Sequence, residues 1–165
     1  MKMTRIWAVL TLLPTVLALF SCKKASVTYL DTLRAEELAS EAEDELDNTE
    51  FRHADGNWLD DYITLPEGLS DYEIRFASDG NNLNEFGIWH AKSDQITPLE
   101  ATLRTYLAES LLRNRSFYDS YIPQEVPKLE NAEVRVYGNY VCYAILSEED
   151  KAIFFRTIEE ELTED

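Results

Sequence analysis

Residues 133–146, Glu133-Val134-Arg135-Val136-Tyr137-Gly138-Asn139-Tyr140-Val141-Cys142-Tyr143-Ala144-Ile145-Leu146, read as two strands joined by a tight turn. Gly138-Asn139 supplies the two turn residues, because glycine enters left-handed backbone conformations without steric cost. Closing the hairpin there pairs Tyr137 with Tyr140, Val136 with Val141, Arg135 with Cys142 and Val134 with Tyr143. Side chains alternate across a strand. Val134, Val136, Val141, Tyr143 and Ile145 therefore share one face, and Arg135, Tyr137, Tyr140 and Cys142 share the other.

The same alternation recurs upstream. In residues 71–77, Tyr72, Ile74 and Phe76 alternate with Asp71, Glu73 and Arg75; Asp79-Gly80-Asn81-Asn82 forms a turn, and residues 85–91 (EFGIWHA) make a second, more apolar strand. Three segments carry helical spacing. Residues 31–46 place Leu38, Ala42 and Leu46 on one stripe, with glutamates opposite. Thr97-Pro98-Leu99-Glu100 has the pattern of a helix start, with Thr97 as cap and Pro98 first. Leu99, Leu103, Tyr106, Leu107 and Leu111 continue as its buried stripe to about Tyr118, before Pro123 and Pro127. Ser147-Glu148-Glu149-Asp150 caps a last helix with Phe154, Phe155, Ile158 and Leu162 on its apolar side. Residues 47–70 are less periodic, and Trp58, Leu59, Tyr62 and Ile63 are expected to form a short turn on the core. The order α-β-β-α-β-β-α implies an α+β fold: a four-stranded antiparallel sheet with about three helices, mainly on one face.

With helices on the Val/Ile/Phe face, the other face would display Arg75, Trp89, Arg135, Tyr137 and Tyr140, together with Glu73 and Cys142. Exposed aromatics among arginines have the composition of a recognition surface. The competing reading packs a loop or helix there, with residues 47–70 and Trp58 as the cover.

The chain has 165 residues, 45% apolar and 12% aromatic, with a formal charge of −17. It is rich enough in large side chains for one packed domain. A polyanion of this size is repelled by phosphate backbones, so nucleic acid is not an expected partner. Cys142 beside Arg135 could favour a thiolate, but a thiol nucleophile also needs a base, and only His53 and His90 exist. Two histidines far apart in sequence give no metal spacing. Asp79, Asn81 and Glu85 offer oxygens without the twelve-residue spacing of a calcium loop. Neither a catalytic set, a metal nor a cofactor is assigned.

The N-terminus speaks to location. Lys2 and Arg5 precede an uncharged apolar run, residues 6–20 (IWAVLTLLPTVLALF), which is shorter than the ~20 residues a membrane-crossing helix needs. It has the form of an export signal. Leu19-Phe20-Ser21-Cys22 resembles the lipobox of bacterial lipoproteins, in which the cysteine is acylated and the signal removed before it; Phe20 departs from the smaller residue usual there. The implied organisation is a signal peptide at 1–21, lipidated Cys22 with a short tether at 22–30, and one domain at 31–165. Cys142 would then have no disulfide partner. Six or seven extended tether residues reach only ~20–25 Å, keeping the domain near the bilayer.

The lipobox, the strand Glu85-Phe86-Gly87-Ile88-Trp89, the stretch Tyr121-Ile122-Pro123, then Leu129, Asn131-Ala132, Val134 and Gly138-Asn139-Tyr140-Val141 are together similar to an exported lipoprotein family. That family belongs to clostridial-type Gram-positive bacteria and is built on a single domain of unknown function. The resemblance implies location and an α+β domain but brings no catalytic residues. Three readings of function stay open. One is a lipoprotein on the outer face of the cytoplasmic membrane, held there through lipid on Cys22, that acts as a binding or accessory module for an extracytoplasmic protein or peptide. Another is a hydrolase acting on the cell envelope, and the third is a cation-binding module.

Overall fold

The computed structural model describes residues 27–46, 49–55, 62–64 and 67–163. The export signal, Cys22, Trp58 and Leu59 lie outside the described residues. In chain order the elements are α1 (Ala35–Asp44), β1 (Phe51–His53), β2 (Leu69–Ala77), β3 (Glu85–Ala91), α2 (Ile96–Tyr121), a 3-10 turn (Pro123–Glu125), α3 (Val126–Glu130), β4 (Glu133–Tyr137), β5 (Tyr140–Ile145) and α4 (Glu148–Leu162).

The hairpin forms in the expected register, from Tyr137 opposite Tyr140 to Val134 opposite Tyr143. Gly138 turns it at φ +57°. The fold is mixed α and β around an antiparallel sheet, but among the described residues the sheet has five strands, not four, in the order β1-β2-β3-β5-β4. The extra strand, β1, is three residues long and too short to show alternation; it pairs Phe51 with Ala77 at the sheet edge.

The expectation of helices mainly on one face is corrected. Helices α1 and α4 cover one side, packing Leu38, Ala42, Phe154, Phe155 and Ile158 on Phe86, Ile88, Tyr140, Cys142 and Ala144. Helices α2 and α3 cover the other, packing Leu99, Leu103, Leu107 and Leu129 on Ile74, Trp89, Val141, Tyr143 and Ile145. The physical reason is legible in β5, all six residues of which are buried. A strand that is apolar on both faces needs a layer on each side.

Local chemistry explains the helix ends. Helix α1 starts at Ala35 rather than near Asp31, because the preceding residues are extended and bonded to the sheet. Asp31 accepts from Asn139 Nδ2 at 2.9 Å, and the Tyr140 hydroxyl donates to the Leu33 carbonyl at 2.7 Å. The first α1 amide, of Ala35, donates to Asp71 Oδ2 of β2 at 3.0 Å, so a strand residue supplies the cap. Helix α2 begins at Ile96, one residue ahead of Thr97; Pro98 sits in its first turn, where a missing N–H costs nothing. Helix α4 starts as expected, with Ser147 Oγ accepting from the Asp150 amide at 3.1 Å.

Candidate functional site

The proposed recognition face is not an open surface. Trp89 and Tyr140 are fully buried, Tyr137 is 4% exposed and Arg75 7%. Trp89 also lies on the opposite face from the others: it pairs with Val141, whereas Arg75 pairs with Phe86 and Tyr140 with Tyr137. Of the five, only Arg135 reaches solvent. It sits at the sheet edge over the Phe155 ring at 4.2 Å, paired with Glu133 at 2.7 Å. Arg75 instead ties α1 to the sheet through Glu43 and pairs along β2 with Glu73 at 3.1 Å.

Cys142 is fully buried, and burial pushes its thiol up, not down. Neither histidine is arranged as its base. His53 Nδ1 bonds Glu73 at 2.6 Å. His90 Nε2 bonds Asp31 at 2.8 Å, its Nδ1 lies 3.4 Å from Asp71, and its ring stacks on Tyr140. The His90 and Asn139 bonds hold Asp31 below the usual carboxylate range. This cluster fastens the segment before α1 to β3 and β5.

The turn between β2 and β3 does not gather its oxygens around an ion site. The Lys128 ammonium of α3 donates to Asn84 at 2.7 Å, Asn82 at 3.2 Å and Glu125 at 2.6 Å. Asp79 closes its own turn by accepting from the Asn81 amide at 2.9 Å. Among the described residues no group of three His, Cys, Asp or Glu side chains is placed to hold a metal ion.

The concentration of unusual chemistry is at Glu85, the first residue of β3. Its Oε1 accepts from the Tyr106 hydroxyl of α2 at 2.6 Å and from the Tyr143 hydroxyl of β5 at 2.7 Å. Gly87 makes this possible. It lies opposite Tyr143 in the β3–β5 pair, and the Tyr143 ring occupies the space a Cβ would take. Missing side-chain volume on one strand thus lets an aromatic ring from the next lie across it and reach Glu85. Burial raises the Glu85 carboxyl above its ordinary range, against the opposing effect of the two phenol bonds. Tyr106 and Tyr143 are raised too, each chiefly by burial.

Glu85 lines a cavity of about 140 Å³, walled by Tyr106, Ser110, Arg113, Asn114 and Tyr118. Beside it a wider groove of about 470 Å³ runs along α2 past Thr102, Thr105 and Glu109; Tyr62 and Tyr106 border both. Positions 102, 106, 109 and 113 recur at three and four residues, so one face of α2 forms a continuous wall of the depression. The Arg113 guanidinium lies 5.0 Å from the centre of the Tyr62 ring and 3.7 Å from Glu109. Sequence reasoning placed Tyr106 in the buried stripe and weighed Glu85 only as a calcium-loop oxygen, not as the partner of two buried phenols. The one available signal was a glutamate opening the most apolar strand but one, two residues before a glycine.

Fold and site together define a small α/β domain whose antiparallel sheet is covered on both sides and whose concave surface lies on α2. Residues 44–146 match the family model of a domain of unknown function, DUF4358, and the chain belongs to that family. The match spans the five strands and every residue named around the Glu85 cavity. No curated protein and no solved structure matches the chain.

Proposed function

We propose that the protein is a lipid-anchored extracytoplasmic binding or accessory module, attached through Cys22 to the outer face of the cytoplasmic membrane and presenting the α2 depression to a ligand there. The observation that carries the binding reading is that depression: a half-buried carboxylate, tyrosines, hydroxyls and a guanidinium gathered on one concave face. Such a mixture of aromatic walls and a few placed polar groups suits ligand recognition. The location rests on Leu19-Phe20-Ser21-Cys22 behind the apolar run at 6–20. Two acyl chains at Cys22 hold a protein stably, each buried methylene contributing ~0.8 kcal/mol.

The two halves have separate tests. Bacteria expressing the protein and fed a radiolabelled fatty acid should label it in the membrane fraction, and Cys22→Ser should lose both label and membrane retention; a labelled Cys22→Ser protein would refute the anchor. A photoreactive side chain at Thr105, which is exposed in the groove, should crosslink a ligand or partner on intact cells. A crosslinking pattern identical to that of a photoreactive control on the far face of the protein would refute binding at this site.

A further inference from the structure

We infer that the Glu85 cavity is a receptor for a small zwitterionic amino acid, its ammonium group bound at Glu85 and its carboxylate at Arg113. This deepens the binding reading above and is independent of the lipid anchor. Glu85 and Arg113 line the same cavity of about 140 Å³, yet among the described residues no ion pair joins them. Opposite charges on the walls of one cavity attract, Glu85 from its inner side and Arg113 from its exposed rim. A ligand carrying both complementary charges would bridge the two side chains without their having to meet, binding Arg113 alongside its 3.7 Å pairing with Glu109 at the rim.

The remaining groups fit that division. Both phenol bonds fall on Glu85 Oε1, which leaves Oε2 as the acceptor for an ammonium N–H. Tyr106 and Tyr118 line the same cavity, and aromatic side chains suit the neighbourhood of an ammonium group. Ser110 and Asn114, one turn apart on α2, line the same wall and bond the Tyr106 and Tyr118 hydroxyls, which leaves the second Asn114 amide N–H as a donor for a carboxylate. Size sets the ligand class. At ~30 Å³ of liquid volume per water-sized group, the cavity holds on the order of five non-hydrogen atoms. Glycine and alanine are of that size.

The test uses full-length protein in neutral detergent with ¹³C-labelled tyrosine rings, titrated with glycine and L-alanine. Methylammonium (cation alone) and acetate (anion alone) serve as separate probes. Saturable shifts of the Tyr106 and Tyr118 ring signals are expected for the zwitterions, with each single-charge probe at least tenfold weaker. Glu85→Gln preserves shape and removes the charge, and Arg113→Gln changes only an exposed rim residue; each should weaken zwitterion binding at least tenfold. The inference is overturned if neither amino acid gives a saturable shift, if methylammonium or acetate alone binds as well, or if either variant retains full affinity. Failure here with a site-specific crosslink at Thr105 would remove the amino-acid assignment and leave the binding reading intact.

Discussion

Substituting Gly87→Ala tests the packing that builds the Glu85 site. A Cβ at position 87 would lie 2.3 Å from Tyr143 Cε1, 2.9 Å from Cζ and 3.0 Å from Trp89 Nε1. Non-bonded carbon atoms settle at about 3.5–4.0 Å, so the ring would have to retreat by roughly 1 Å or more. It has little room to do so. Tyr143 is fully buried, Tyr106 packs edge-on against it at 5.7 Å, and its hydroxyl is fixed on Glu85. Overpacking of a dense core costs about 1–3 kcal/mol. Pulling the phenol off Glu85 costs about 1.5–3 kcal/mol more if the carboxylate is ionised. The gain from replacing a strand glycine, about 0.5–1 kcal/mol, is smaller. Gly87→Ala should therefore destabilise the protein by about 2–5 kcal/mol, which the slopes usual for domains of this size turn into a fall of roughly 1–2 M in the urea midpoint. The same substitution in a Tyr143→Val background, where the ring is gone, should be close to neutral, giving a coupling of about 2–5 kcal/mol, the whole effect seen in the parent. A Gly87→Ala protein within 0.5 kcal/mol of the parent, or effects that simply add in the double variant, would refute the reasoning.

Two further outcomes follow from the buried titratable groups. Because the folded Glu85 carboxyl is raised, the unfolded chain ionises first as pH rises past about 4.3, and the parent loses stability until Glu85 itself ionises; Glu85→Gln removes that penalty. The stability of Glu85→Gln relative to the parent should thus rise between pH 4 and 7 in urea melts, and a constant or falling difference would show that Glu85 is not raised. Cys142 is sealed in the core and its thiol is pushed up by burial, so full-length Cys22→Ser protein should react with a disulfide reagent only once denatured; stoichiometric labelling in native buffer would contradict the burial.

The local rules of the chain determined a good deal by themselves. Gly138-Asn139 and the alternation around them set the hairpin and its register, because a side-chain period of two leaves one pairing that keeps each face consistent. Glu85–Ala91 as a strand, the Ser147 cap of α4 and the apolar stripe of α2 were equally legible, since each depends on neighbours within a turn or two. Tertiary structure decided what those elements meet. The alignment of β3 on β5 joins residues fifty or more apart and sets Trp89 opposite Val141, which moves it to the far face from Tyr140. Covering both sides of the sheet then turned a supposed recognition surface into core. The same alignment lays Tyr143 over Gly87 and delivers its hydroxyl to Glu85, where Tyr106 arrives from α2. No local pattern encodes that meeting, because it comes from three separate segments whose approach is fixed only when the apolar faces of strand and helix are buried together.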